Sequence, residues 1–307
     1  MSRLTTEIPA NWQGQTAEQY LRRELQLTAA QIRSLKFQKN GIQRNGFACR
    51  MTEKLLQGDI LEISLQEKEP DMQKTEPSGQ MPDILYEDRD VICVWKPAGR
   101  VIHPVAGHRA DTVTGDLMTY FLSKDQHTAV HSIGRLDKDT AGILVFAKNR
   151  IAAAQLWRQK EEGYFTKEYL AWCEGIFPEE AQKQEQRISF PLEKAPSIQG
   201  QAQKMQVVSS GRPAVTYFQV IRQEKTQALV CLRLETGRTH QIRVHMAYIG
   251  HPLMGDSLYG HGVLHRDVTR LCAWKVNFFQ PFTKEKIRLE HHGPMAQMEW
   301  WKNPSEE

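Results

Sequence analysis

No Cys-x-x-Cys pair occurs in the 307 residues, and the five cysteines, Cys49, Cys93, Cys173, Cys231 and Cys272, are odd in number and widely spaced. That pattern excludes a disulfide framework, gives no zinc knuckle, and points to a reduced, cytoplasmic protein. A lone cysteine inside an apolar run, as in Val91-Ile92-Cys93-Val94, reads as core. Long apolar runs are missing as well. None approaches the ~20 residues of a membrane span, so no membrane partner is expected. Met1 to Pro9 lacks the apolar region of a signal peptide. There is no Gly-x-x-x-x-Gly-Lys and no Gly-x-Gly-x-x-Gly after a strand, which argues against a P-loop and a dinucleotide cofactor. His240 and His245 lie five apart, a poor match to an i, i+4 zinc pair, so no metal and no cofactor is expected. Excess charge is scarce: 40 Lys and Arg against 36 Asp and Glu leave a net +4. A polyanionic partner is permitted, and the distribution of charge matters more than its total.

What is present is an ordinary soluble composition, 40% hydrophobic and 25% charged, in a chain longer than one typical domain. A polar, proline-bearing stretch at 67–82 reads as a linker between a small module at 12–66 and a larger domain at 83–300. In the small module, Thr16-Ala17-Glu18-Gln19 and Thr28-Ala29-Ala30-Gln31 each spell a capping box and predict two short helices. Asn45-Gly46 predicts a hairpin turn, and Ile60 to Leu65 a strand. Arg33, Lys36, Lys39, Arg44, Arg50 and Lys54 face a single acid, Glu53, over residues 31–54. Such a face is either merely solvated or a phosphate-contacting surface.

The larger domain predicts strands at Ile84–Tyr86, Val91–Trp95, Tyr164–Cys173, Val215–Arg222 and Ala228–Leu234. Over 150–162 a helix is predicted, with Ile151, Ala154, Leu156 and Trp157 as its apolar stripe. Many strands with few helices indicate an α+β fold, a mixed and largely antiparallel sheet carrying the chemistry beside a small α+β module.

The most informative segment is His131 to Gly142, a polar loop with Arg135 and Asp137, followed by the apolar run Ile143 to Ala147. An Asp next to an Arg is usually a surface ion pair. Here Arg135 and Lys138 favour an ionised Asp137, and a carboxylate on a rigidly held loop can act as nucleophile or base without a cofactor. Three further pieces stand out. Tyr169, in Lys167-Glu168-Tyr169, is either a core aromatic or a ring that packs on a flipped base. Leu234 to Met246, with Arg238, His240 and Arg243 after a Gly237 turn, reads as a helix starting near Thr239. It is a solvated basic helix or a set of phosphate and base contacts, with His240 and Arg243 on one face. Gly250 to Gly260 reads mainly as turn chemistry.

Taken together, Lys-Pro-Ala-Gly at 96–99, Gly-Arg-Leu-Asp at 134–137, Lys-x-Tyr at 167–169, Thr-Gly-Arg-Thr-His-Gln-Ile-Arg-Val-His at 236–245 and Gly-His-Pro-Leu-x-Gly-Asp at 250–256 resemble, in order, the pattern of RNA pseudouridine synthases of the large-subunit ribosomal type. Two departures occur: that family often has His at the position of Gly134 and Ser at that of Ala141. The small module resembles an RNA-binding fold named after a small-subunit ribosomal protein. The resemblance implies isomerisation of uridine in RNA without a cofactor. It assigns the essential acid to Asp137, a pairing arginine to Arg243, the ring that packs on the target base to Tyr169, and the arginine that enters the RNA to Arg135. Arg238 and His240 become candidate RNA contacts. Large-subunit ribosomal RNA is the expected partner, and a monomer the default. A hydrolytic glycosidase would normally need a second carboxylate, for which Asp139 is near in sequence. A noncatalytic RNA-binding or ribosome-assembly protein is the other alternative.

Overall fold

Two threonines start the two helices of the small module as their sequence requires. In the computed structural model, which describes residues 3–65, 75–105, 107–126, 128–197, 202–261 and 268–292, both capping boxes are formed. Thr16 and Gln19 cap α1 (Ala17–Arg23), and Thr28 and Gln31 cap α2 (Ala29–Lys36). The helices cover a four-stranded antiparallel sheet in the order β1-β4-β2-β3, made of β1 (Arg3–Glu7), β2 (Ile42–Arg44), β3 (Phe47–Ala48) and β4 (Ile60–Ser64). Asn45 and Gly46 both have positive φ, 50° and 83°, as a two-residue type I′ hairpin demands. The module thus begins at β1, ahead of the expected start at residue 12. Its strand was not legible because five residues without clear alternation gain their register only by pairing with β4.

The second domain runs β5 (Asp83–Glu87), β6 (Val91–Lys96), α3 (Val113–Ser123), β7 (His131–Ser132), β8 (Ala141–Ala147), α4 (Arg150–Glu161), β9 (Thr166–Glu174), α5 (Glu180–Lys183), β10 (Gln186–Ser189), β11 (Leu192–Lys194), β12 (Met205–Val207), β13 (Val215–Gln223), β14 (Gln227–Leu234), α6 (Gln241–Tyr248), β15 (Leu271–Phe279) and β16 (Lys286–Glu290). Its main sheet has the order β10-β13-β14-β9-β15-β8-β6-β5, with β16 on β15 and β7 on β8. Along that path only β8 and β15 pair in parallel, so the sheet is mixed and largely antiparallel. All seven residues of β8 are buried. Leu144 and Phe146 pack towards α3, while Ile143, Val145 and Ala147 pack towards α4. A strand apolar on both faces is a fixed point, since each large side chain fully buried contributes roughly 1.5–3 kcal/mol. Gly142 enters this strand at φ +135°, and a Cβ there would lie 2.5 Å from the backbone N and O of Ala273 on β15. Only glycine admits that approach.

Several expectations are corrected. The inward face of α4 carries Ile151, Ala152, Ala153, Gln155, Leu156 and Gln159, and Trp157 stands 42% exposed instead of joining the apolar stripe. The buried glutamine explains the rotation: Gln159 Nε2 donates to the Phe279 carbonyl at 2.7 Å and its Oε1 accepts from Phe279 N at 2.7 Å. Of the expected linker, residues 67–74 lie outside the described residues, as do 293–300 at the expected end of the larger domain. Gly79 at the linker's far end is held to α3, its N–H donating to Thr119 Oγ1 at 3.0 Å. The small module docks directly on α4: Ile151 joins its apolar core, and Gln155 Nε2 donates to the Glu24 carbonyl at 3.2 Å.

Candidate active site

The loop between β7 and β8 presents Asp137 because its neighbours are anchored. Ile133 and Leu136 are buried in the cores on the two faces of the sheet. The backbone beyond Asp137 is gripped by Lys96, whose side chain is fully buried at the end of β6. Its Nζ donates to the carbonyls of Pro97, Lys138 and Thr140 at 2.9, 2.8 and 2.8 Å. Burial pulls this ammonium down to about 7, against the support of the Asp139 and Asp137 carboxylates. Gly99 N also donates to the Lys138 carbonyl, at 2.8 Å, and Thr140 N to the Asp137 carbonyl, at 3.1 Å. Asp137 is therefore held by its backbone, leaving the carboxylate, 17% accessible, free to meet a ligand.

Arg243 lies in α6 with 1% of its side chain accessible. The resemblance implied that it pairs with Asp137. Its direct partner is Asp256, fully buried, in a bidentate pair: Nε to Oδ2 at 2.7 Å and Nη2 to Oδ1 at 2.6 Å. Nη1 also lies 3.7 Å from Asp139 Oδ2. Burial opposes the Arg243 charge, but Asp256, Asp139 and Asp137 outweigh it and raise its pKa. The guanidinium is thus a fixed cation behind Asp137 and not its exclusive partner. Asp139, the candidate second carboxylate of a hydrolase, is engaged on this arginine.

Asp137, Tyr169 and Arg243 line one cleft of about 1120 Å³, together with Arg135, Arg238 and His240. The six residues singled out in the sequence are brought together by β7–β8, β9 and α6. Tyr169 is buried on β9, and burial, then the Asp137 charge, pushes its phenol well above the ordinary value. It remains a neutral phenol whose ring walls the cleft. Arg135 is 68% exposed at the rim, with Nη2 3.9 Å from Asp137 Oδ1, a loose contact that leaves it able to swing into a ligand. Arg238 is held at the rim by Nε donating to the Pro213 carbonyl at 3.0 Å, and its backbone N–H bonds to Gln241 Oε1 at 2.9 Å. His240 is not in the helix: it is the N-cap of α6 at φ +55°, and its Nδ1 lies 2.9 Å from the Tyr259 hydroxyl. The expected shared face with Arg243 is thereby lost, although both still reach the cleft. Burial pulls the His240 imidazolium down, against the supporting Asp137 charge.

Two sequence readings understated this region. Gln241, Arg243 and His245 are buried, so α6 is not a solvated basic helix. The loop at 250–260 is more than turn chemistry, because Asp256 closes the Arg243 pair and also accepts from Leu258 N and Tyr259 N. Lys96 and Asp256 were missed as site residues. Both stand in the ordered motifs at 96–99 and 250–256, but a charged residue in a short segment bounded by glycine or proline does not reveal its burial.

Comparison with known proteins identifies the family. The family model for RNA pseudouridylate synthase matches residues 90–248. An uncharacterised RNA pseudouridine synthase of Bacillus subtilis is 36% identical over 250 residues, 80% of each chain. Ribosomal large subunit pseudouridine synthase D of Escherichia coli is 34% identical, covering 82% of this chain and 78% of its own. The solved structure of human RNA pseudouridylate synthase domain containing 1 is 28% identical with a TM-score of 0.58, over 74% of this chain and 89% of that one. With a cleft built around Asp137, Tyr169 and Arg243 and relatives that span most of its length, the chain belongs to the RNA pseudouridylate synthase family and is an RNA pseudouridine synthase.

Proposed function

We propose that this enzyme isomerises selected uridines of large-subunit ribosomal RNA in the cytoplasm, as a monomer, with Asp137 as nucleophile or base. The observation that carries the assignment is the placement of Asp137: its carboxylate lines the cleft with Tyr169 and Arg243, close enough for its charge to act on both, on a loop fixed by Lys96. The reaction breaks the bond from C1′ to uracil N1 and makes one to C5; the C5 proton is released and N1 ends protonated, so no co-reactant is consumed.

A stacked uridine must leave its helix to reach Asp137, which costs a few kcal/mol. Tyr169 offers the extruded base a ring to pack on, exposed Arg135 fills the space it leaves, and Arg238 and His240 contact the backbone at the rim. Large-subunit RNA is favoured by the relatives named for that substrate in Escherichia coli and Haemophilus ducreyi. The small module supports a large structured target, since Arg33, Lys36, Lys39, Arg50 and Lys54 are exposed. Arg44 is set apart from that surface by its ion pair with Asp59 at 2.7 Å.

The test is pseudouridine mapping of total RNA from cells lacking the protein, complemented with wild type or Asp137→Ala. A large-subunit site restored by wild type alone is the expected result. A site restored only in transfer RNA would overturn the substrate, and restoration by Asp137→Ala would overturn the role of the acid.

A further inference from the structure

The rim of the cleft formed by α4 carries two side chains that the chemistry at Asp137 does not use. Trp157 presents its indole to the cleft, where an α4 apolar stripe would have buried it. Lys160, one turn on, places Nζ 4.7 Å from the centre of that ring. The same Nζ would sit 3.0 Å from a Cβ on Gly134, so the ammonium rests against the residue preceding Arg135. Gly134 has φ +83° and no side chain, and both properties open this place for the lysine.

No carboxylate of the described residues lies within ion-pair distance of Lys160, although Glu161 lines the same cleft. Burial lowers the Lys160 pKa. A second cation, Lys167 on β9, also lines the cleft, and burial followed by the Lys160 charge brings its pKa down to about 7. Lys167 Nζ donates to the Ile143 carbonyl at 3.0 Å and, among the described residues, has no acid within ion-pair distance. Lys160 is exposed and Lys167 half-buried, and among the described residues neither ammonium has a carboxylate within ion-pair distance, so a phosphate between them would be the direct counter-ion of both.

We infer that Trp157 and Lys160, with Lys167 behind them, form a nucleotide subsite on α4 that takes the residue next to the extruded uridine. The phosphodiester lies on the two ammonium groups and the base stacks on the indole. The identification of the anion as an RNA phosphate rests on the pseudouridine synthase reading. A flat aromatic beside a cation at the mouth of a cleft suits a single strand, because every base has a face to stack and every step a charge to neutralise. Arg135 lies across Gly134 from Lys160, so a strand opened by Arg135 leads onto this platform. The site is tolerant of sequence, since it offers no group that reads a base edge.

The test is equilibrium binding of a labelled RNA hairpin with a uridine-rich loop to the full chain carrying Asp137→Asn, across a salt series. Adding Lys160→Gln should weaken binding about tenfold and reduce the slope of log Kd against log salt by about 0.7, the share of one single-strand phosphate. Lys160→Arg should restore the slope. Trp157→Ala should weaken binding about tenfold at unchanged slope, and Trp157→Phe should retain most of the affinity. An unchanged slope in Lys160→Gln overturns the phosphate site, and unchanged affinity in Trp157→Ala overturns the stacking platform. Absence of any hairpin binding by the Asp137→Asn chain overturns both. None of these readouts depends on turnover, so a failed mapping experiment would refute the assigned activity without deciding the subsite.

Discussion

Replacing Lys96 by Met tests whether a buried ammonium holds the Asp137 loop. Methionine keeps the unbranched stem within β6 and removes only the donor. The carbonyls of Pro97 and Thr140 then lose a bond of 2.9 and 2.8 Å, while Lys138 keeps the Gly99 N–H as a second donor. The Thr140 carbonyl is then a buried acceptor without that partner, at a cost of about 1–3 kcal/mol, whereas the Pro97 carbonyl belongs to an exposed residue that water can reach. Against this, the variant no longer buries a charge, a cost visible in the fall of the Lys96 pKa from 10.5 to about 7. These terms oppose each other at a few kcal/mol each, so the global stability should change little and the loss is confined to the loop the carbonyls hold. Urea unfolding followed by circular dichroism should show a midpoint close to that of wild type at unchanged slope. Hydrogen exchange should show faster exchange at the amides of Gly99 and Thr140, which close the loop. Amides of Gly99 and Thr140 protected as in wild type would refute the reasoning.

Asp256→Asn should remove one arm of the buried Arg243 pair, leave Asp139 at 3.7 Å as the remaining acid, and lower stability by about 3 kcal/mol, read as a fall in unfolding temperature. Gly142→Ala should cost more than about 3 kcal/mol, because φ +135° and a 2.5 Å approach to Ala273 backbone admit no methyl group; a well-folded variant with wild-type melting would contradict the close strand crossing. Lys167 gives a pH dependence. Its pKa in the free protein is depressed to about 7, and a bound phosphate favours the ammonium, so RNA binding takes up a proton. Affinity should be highest below about 7 and fall as pH rises through that value, and Lys167→Met should flatten this part of the profile. A wild-type Kd that does not change across neutral pH would remove Lys167 from the anion site.

Local chemistry made much of this molecule legible. The threonine–glutamine boxes, the Asn45-Gly46 turn and the apolar run ahead of Ala147 depend on near neighbours, and each is found where its residues place it. The loop bearing Asp137 was legible for the same reason: a polar segment bounded by glycines abuts a strand that can only be core. Misreadings occurred where a residue's state depends on distant partners. Trp157 looked apolar and therefore buried, but Gln159 owns the inward position by bonding the backbone of Phe279, 120 residues away. Asp256 looked like part of a turn until Arg243 was seen beside it. His240 lies within the helix expected from Thr239, but its left-handed backbone ends the turn before α6 begins.

The sequence by itself determined the class of fold, most strands of the main sheet and the family, because these follow from periodicity, caps and the ordered motifs. Only the tertiary structure decided which charges meet. The pairing of Arg243 with Asp256, the convergence of Lys138 and Thr140 carbonyls on Lys96, and the uncompensated Lys160 beside Trp157 all arise where separate strands and helices converge, and burial there fixes the strength of each charge.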